Sequence, residues 1–272
     1  MTRLGENSWG KSSVRLSKIH RGEAADDFTD LTVQVLLSGE VQAAYVDGDN
    51  ARVLPTDTMR NTVYALAQDH LGHDLEDFGR VLVEHFLSKE GVHEARVSME
   101  QRRWERAGDH GFVGGSSERR LASVESSGDG ISYRSGIDGL LVLKTTGSAF
   151  EGFPKDEYTT LPEAEDRLLS TTIFAQWGYT TLPVDTTETW ETIRSLLLNR
   201  FFSAASQSVQ HQGWLMGRAV LEQVPEIDQI EFRLPNQHHL SFHLERFGLE
   251  DAGVVFQPVS EPYGDIRFTV RR

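Results

Sequence analysis

Two hydrophobic periodicities follow one another in the same order in both halves of this chain of 272 residues. Alternating apolar residues, typical of strands, give way to segments in which apolar residues recur every three or four positions, and then return. Because strands precede and follow each helix pair, this order favours antiparallel sheets that carry two helices on one face. The pattern predicts an α+β fold of two tandem ββααββ units, residues 1–136 and 137–272.

In the first half, Leu31, Val33, Val35 and Leu37 alternate with other residues, as in a half-buried strand. The predicted elements are strands at 14–19, 31–37 and 92–106, helices at 57–70 and from the Asp74 cap to 86, a glycine-rich loop at 111–117, and a hairpin of 119–125 with 131–134. In the second half they are strands at 139–145, 171–179, 230–234, 240–244 and 265–270, an irregular stretch with a short helix at 150–170, a helix capped by Asp185, and a helix at 208–224.

The open edges of such sheets must be paired or covered. Several copies of the chain can do this by closing their sheets into a shared barrel. We therefore expect a homo-oligomer. The order of elements is what repeats, and no residue-level repeat accompanies it.

The amino-acid composition limits the kinds of partner and site that the chain can have. The formal net charge of −14 argues against nucleic acid or an anionic membrane as a partner, while a single arginine could still hold a small anion. The absence of cysteine excludes disulfides, thiolate metal sites and a cysteine nucleophile. No segment resembles a signal peptide, a membrane helix or an S-K-L address, so we expect a cytoplasmic protein.

The segment GDNARVLPTDTMRNTVYALA leads from a loop through Thr56 and Asp57 into a helix. Such a helix start presents unpaired backbone N–H groups and a hydroxyl to a small anionic or oxygen-rich ligand, although Thr and Asp are also preferred caps. Lys11, in WGKSSVRL, is either a solvated lysine at the start of a strand or a partly buried amine that acts as a base.

Further candidates lie in the second half. Phe150 and Phe153, in GSAFEGF, are either core residues or a platform for a planar ring. Arg167 either forms a surface salt bridge on a short helix or grips a heterocycle with its guanidinium fork. Gln210, near the start of a helix, is either solvated or reads an imide edge through its amide.

The segment LPNQHHLSFH places Asn236 and His238 on one face of an extended chain. His239 and His243 share the opposite face, where a metal site is conceivable, but no third ligand is evident at a suitable spacing. Core or edge histidines are the other interpretation. The sequence contains no glycine-rich phosphate loop, dinucleotide fingerprint or nucleophile elbow.

These segments resemble the motifs of the urate oxidase (uricase) family, in family order from about Gly10 to Ile266. The matching runs are G-K, T-D before a helix, S-x-F-x-G-F, Y-T-T-L, D-R-L-L, V-Q and L-P-N-x-H. The resemblance implies the tunnelling fold and a homotetramer. It also implies oxidation of urate by O2 and water to 5-hydroxyisourate and hydrogen peroxide, with no metal and no organic cofactor.

The resemblance also implies residue roles. Lys11, Thr56 and His238 would relay protons, and Thr56 and Asn236 would hold dioxygen. The implied substrate contacts are Asp57, Phe150, Leu161, Arg167, Val209, Gln210, Asn236 and Ile266. One subunit would supply Lys11, Thr56 and Asp57, and its neighbour would supply Phe150, Arg167 and Gln210. Gln237 replaces the usual lysine of the family, and we expect it to face away from the chemistry.

Two other functions stay open at this point. One is a different tunnelling-fold enzyme that acts on a pterin or a related purine, with zinc as a possible cofactor. The other is a purine-binding oligomer without catalytic activity. Turnover of a pterin, sensitivity to a chelator, or urate binding without oxygen uptake would distinguish these from urate oxidation.

Overall fold

The computed structural model describes residues 2–127, 130–180, 185–250 and 252–272. The chain forms two compact units. The first contains Met1–Gly136 together with Trp177–Trp190, and the second contains Ile137–Gln176 together with Glu191–Arg272. The tandem halves 1–136 and 137–272 stay a prediction.

The strands are β1 Trp9–His20, β2 Asp27–Gly39, β3 Val92–Arg106, β4 Phe112–Ser127, β5 Gly130–Lys144, β6 Leu169–Gly178, β7 Gln229–Ser241 and β8 Phe256–Arg271. The helices are α1 Gln42–Val46, α2 Thr56–His70, α3 Leu75–Leu87, α4 Thr186–Ser203, α5 Val209–Gln223 and a short 3-10 helix Leu244–Phe247. The strands follow one another in the sheet in chain order, and β1–β2, β2–β3, β3–β4 and β7–β8 pair antiparallel. The predicted α+β class is confirmed.

The core of the first unit lies between its strands and the helices α2 and α3. The predicted inward residues of β2 are all fully buried, as are Met59 and Val63 of α2 and Phe78 and Leu82 of α3. Leu66 is only partly buried at the edge of this cluster. Burial of these aliphatic and aromatic side chains fixes the two helices on one face of the sheet, as the periodicity predicts.

The predicted glycine-rich loop at 111–117 is wrong, because most of it belongs to β4. A Cβ built on Gly114 would lie 3.0 Å from the ring of Trp104, which pairs with it on β3. The glycine therefore lets the indole lie over the strand, and its role in this segment is close packing rather than a turn. The two arms of the predicted hairpin lie in β4 and β5, and part of its turn, 128–129, lies outside the described residues.

Three further boundaries differ from prediction. The predicted strand at 139–145 is the end of the long β5. The stretch 150–168 contains no helix, because Phe150 and Ala164 exchange backbone hydrogen bonds of 2.7 and 3.0 Å and fold it into a loop. The predicted strand at 240–244 is instead the end of β7 followed by the 3-10 helix. Among the described residues, no helix is long and apolar enough to cross a membrane.

Candidate active site

A β-bulge near the start of β1 decides which way Lys11 points. Lys11 pairs with Val35 and Val14 pairs with Val33, so two residues of β1 stand opposite one residue of β2. Ser13, inside the bulge, has a φ of 57°. Since Val33 and Val35 are both buried in the core, the bulge puts Lys11 on the helix side of the sheet, where it is half-buried.

Two side-chain contacts describe how α2 lies along β1. The indole N–H of Trp9 donates to the carbonyl of Leu54 at 3.0 Å, and the hydroxyl of Tyr64 donates to the carbonyl of Arg15 at 2.6 Å. The strand and the helix therefore run side by side in the same direction. Lys11 lies four strand residues before Arg15, and Thr56 lies eight helix residues before Tyr64. Both segments span about 12–13 Å, so Lys11 lies level with the first turn of α2.

Thr56 is the first residue of α2, and Pro55 is its N-cap. The alternative interpretation of Thr56 and Asp57, as caps of this helix, is therefore wrong. The ring of Pro55 fixes φ, here −58°, and sets the entry into the helix without a side-chain cap, while the Asp57 carboxylate pairs with Arg60 at 2.9 Å. The Thr56 hydroxyl has no hydrogen-bond partner within the described ranges, and the first backbone N–H groups have none inside the helix.

Phe150 and Arg167 meet in the second unit. The guanidinium carbon of Arg167 lies 5.0 Å from the centroid of the Phe150 ring. Phe153 stacks on the same ring, with centroids 4.9 Å apart and planes inclined by 15°. Phe153 and the Arg167 guanidinium therefore both lie over the Phe150 ring, and a planar ligand at this ring would also meet the guanidinium.

Arg167 is half-buried and has no carboxylate partner among the residues that the structure describes. Burial lowers the pKa of its guanidinium, and its buried Nε has no hydrogen-bond partner in the same part of the chain. The predicted short helix and surface salt bridge are both absent there. A buried N–H without a partner costs about 1–3 kcal/mol, so this side chain is suited to a partner from outside the described chain.

The start of α5 is joined to the same loop. Ser148 and Ser206 form a parallel bridge, which holds the turn before the aromatic pair against the segment that leads into α5. Ser208 is the N-cap of α5, and its side chain accepts a hydrogen bond from the first turn. Val209 is buried and Gln210 is exposed, so the predicted Val-Gln pair presents its amide outward at the helix start.

Two glycines fix the position of α5 on β7 and β8. A Cβ on Gly217 would lie 2.6 Å from Val270, and a Cβ on Gly213 would lie 2.8 Å from Leu234. Four helix residues and two strand residues both advance about 6–7 Å. Continuing this register by one turn places Val209 beside the next inward positions of the two strands.

Those next inward positions are Asn236 on β7 and Ile266 on β8. They meet at Gly264, where an added Cβ would lie 3.5 Å from the Cβ of Asn236 and 3.4 Å from the Cδ1 of Ile266. His238 follows two residues later on β7 and is half-buried. The structure therefore brings Asn236 and Ile266 together with the start of α5, and strand alternation puts His238 on the same face.

The opposite face of β7 carries Gln237, whose amide donates to the Thr172 hydroxyl at 2.9 Å and accepts from the Ser170 hydroxyl at 3.4 Å. His239 has a buried Nδ1 without a partner among the described residues. No group of three or more metal-ligating side chains occurs within those residues. The histidines of this segment therefore do not form a recognisable metal site in the described chain.

Leu161 stays a predicted contact, because the structure shows only its exposure. Its side chain is 52% exposed on the loop between β5 and β6.

Sequence reasoning missed two ionisable residues near the site. Lys144 follows Leu140 and Val142 on the buried face of β5. A charged residue in the apolar alternation of a strand could have marked it as a candidate from the sequence. Asp166 accepts hydrogen bonds from the Thr146 hydroxyl and the Ser148 N–H, and these hydrogen bonds lower the pKa of its carboxyl group.

Comparison with known proteins identifies the relatives of this chain. The family model described as Uricase matches residues 7–125 and 133–267. The uricase of Arthrobacter globiformis is 43% identical, with 99% of this chain and 90% of that protein covered. The uricase of Dictyostelium discoideum is 36% identical, with 100% and 98% covered.

The chain also superposes on solved structures of uricases. The crystal structure of the uricase from Arthrobacter globiformis superposes with a TM-score of 0.96 at 42% identity, covering 100% of this chain and 96% of that one. The urate oxidase from Bacillus sp. TB-90, at 23% identity and a TM-score of 0.86, shares the fold and covers 98% of this chain and 100% of that one. The full-length match at this level of identity means that the chain belongs to the uricase family.

Proposed function

We propose that this chain is an enzyme that oxidises urate with O2 and water to 5-hydroxyisourate and hydrogen peroxide, in the course of purine degradation. The observation that carries this proposal is the half-buried guanidinium of Arg167, which lies 5.0 Å from the Phe150 ring with a buried Nε that has no partner among the described residues. An uncompensated cation beside an aromatic face suits a flat anion, and urate is one.

Binding of urate follows from the residues around Phe150. Phe150 would stack on the purine beside the Arg167 guanidinium. Arg167 would donate two hydrogen bonds to adjacent acceptors of the ring, and Gln210 would supply a donor and an acceptor to its imide edge. Val209, Leu161 and Ile266 would line the rim.

The chemical step needs only binding, orientation and proton transfer, because the urate dianion is electron-rich enough to reduce dioxygen. Lys11, Thr56 and His238 would move the protons. Thr56 and Asn236 would hold dioxygen, and then water, above the ring, and the N–H of Asp57 would contact the substrate. We propose that no metal and no organic cofactor takes part.

We also propose that the two tandem units are tunnelling-fold units and that the chain works as a homotetramer. Lys11, Thr56 and Asp57 would come from one subunit, and Phe150, Arg167 and Gln210 from its neighbour. Support comes from the fold and from unpartnered polar groups on both sets of residues. Activity that falls on dilution together with the measured oligomer mass would test this arrangement. A cytoplasmic location stays an expectation, which cell fractionation tests.

The direct experiment follows urate absorbance, oxygen uptake and peroxide formation with the purified protein, with and without a chelator. One urate consumed per O2 and per H2O2, unchanged by the chelator, is the expected result. Urate binding without oxygen uptake would favour a non-catalytic binding protein. Turnover of a pterin, or loss of activity with the chelator, would favour a different tunnelling-fold enzyme.

A further inference from the structure

The ammonium group of Lys144 lies at the junction of three segments of the second unit. Lys144 is only 8% exposed. Its Nζ donates to the carbonyl of Ala204 at 2.8 Å, to the Oε1 of Gln212 at 2.7 Å and to the hydroxyl of Ser206 at 3.4 Å. One side chain from the end of β5 thus holds the end of α4, the connecting segment and the first turns of α5.

The groups that accept hydrogen bonds from Lys144 also bond to other segments near the site. Gln212 is 1% exposed, and its amide also donates to the carbonyl of Arg200 on α4 at 3.3 Å. Ser206 accepts at its carbonyl from the N–H of Ala149 at 2.8 Å, which is next to Phe150. The ammonium therefore links the segment that carries Phe150 to the helix start that carries Gln210.

The surroundings keep this cation in place. Its Nζ lies 5.5 Å from the centroid of the Phe201 ring. Burial lowers the pKa of Lys144, and the nearby carboxylate of Asp166 opposes that fall. A buried ammonium is costly unless it is hydrogen-bonded, so a lysine here implies a specific use for its three donors.

We propose that Lys144 is a positioning residue for urate, which sets the start of α5 against the Phe150 segment so that Phe150, Arg167 and Gln210 face one ligand. The proposal rests on the proposed function of the same site. In this role, Lys144 does not touch the substrate. It acts through Gln212 and Ser206, because small displacements of groups that grip a ligand have large effects on its binding.

The test measures urate binding without oxygen, where urate can bind but cannot react. In Lys144→Met, we expect the urate Kd to rise about tenfold, as for a misplaced set of contacts. In Gln212→Leu, we expect a similar rise. The double variant should bind urate as tightly as the weaker-binding single variant, because both substitutions break the same contact between Lys144 and Gln212.

The matched control is Arg272→Met. Arg272 donates to the carbonyls of Leu221, Val224 and Ile227 at the other end of α5, at 2.6, 3.2 and 3.2 Å. Both variants remove a cation that holds three oxygens beside the same helix, so both should lower the thermal midpoint. Only Lys144→Met should weaken urate binding, and Arg272→Met should keep the wild-type Kd.

A Lys144→Met protein that is less stable but binds urate as tightly as the wild type would overturn the proposal, as would equal weakening in Arg272→Met. Should Lys144→Met fail to fold, the pair Gln212→Glu and Gln212→Leu decides, because glutamate keeps the acceptor and leucine removes it. Wild-type Kd in both would also overturn it. Failure of the proposed function is distinguishable, because the wild-type protein itself would then bind no urate.

Discussion

The helix start of α2 in the first unit and the helix start of α5 in the second are positioned by different means. At α2, the backbone orients the candidate residues, because Pro55 sets the entry into the helix and the bulge at Ser13 turns Lys11 to the helix side, while the Trp9 indole holds the segment before the helix. At α5, buried side chains do it, since Lys144 and Gln212 bind the surrounding segments together.

The difference matches the proposed tasks. A proton relay needs groups whose hydrogen-bonding capacity is free, and Thr56 has no side-chain partner within the described residues. Recognition of a flat anion needs several groups held in fixed relation, and a satisfied buried network provides that rigidity. The two regions should therefore respond differently to substitution, the first through turnover and the second through urate binding.

The largest effect should come from the relay itself. We expect Thr56→Ala and Lys11→Met each to lower kcat by about 10²–10⁴, the usual contribution of a proton-transfer group. The anaerobic urate Kd should change much less. Steady-state kinetics with anaerobic binding separate the two quantities, and wild-type turnover in either variant would remove that residue from the relay.

The bulge offers a sharper test of the first region. Deleting Ser12 and Ser13 together makes Lys11 the direct neighbour of Val14, opposite Gln34, and so turns it to the other face of the sheet. We expect kcat to fall by about 100-fold, as for a misplaced catalytic group. Ser13→Gly is the control, because glycine readily adopts the observed positive φ and should keep the bulge and the activity. Equal turnover in the deletion variant would mean that the side of Lys11 does not matter.

In the second region, Arg167→Ala should act on binding. Loss of charge-assisted hydrogen bonds costs about 1.5–3 kcal/mol, so we expect the urate KM to rise about 10- to 100-fold with a smaller change in kcat. The same variant measured anaerobically should show a matching rise in Kd. An unchanged KM would contradict the proposal that Arg167 grips urate. A loss confined to kcat would mean that Arg167 acts in proton transfer rather than in binding.

The smallest effect should be a pH dependence of stability that comes from Asp166. Its pKa is lowered below the ordinary value of 3.8, chiefly by the hydrogen bond from Thr146. Its ionised form therefore stabilises the folded state above about pH 4, and this contribution is lost as the pH falls through the folded-state pKa.

Thermal unfolding of the wild type and Asp166→Asn from pH 7 to pH 3 measures this contribution. The difference in midpoint should be largest at pH 7 and should shrink at the acid end. A difference that stays constant across this range would show that the carboxylate charge plays no part.

Much of the fold could be predicted because the periodic apolar residues of the sequence are the buried residues of the structure. The inward faces of β2, α2 and α3 agree with the pattern of their apolar residues. Predictions failed where a residue type has two uses. Gly114 packs against Trp104 within a strand, and Thr56 follows a proline that makes its capping unnecessary. The site residues came from a resemblance, and their roles stay predictions.

The sequence by itself determined the class of fold, the family and the candidate residues, because motifs and apolar periodicity are local properties of the chain. Only the tertiary structure decided that Lys11 turns to the helix side, that the half-buried Arg167 lies beside Phe150 without a carboxylate partner among the described residues, and that Lys144 joins three segments. These depend on strand register and on contacts between residues far apart in the chain, which no local pattern specifies.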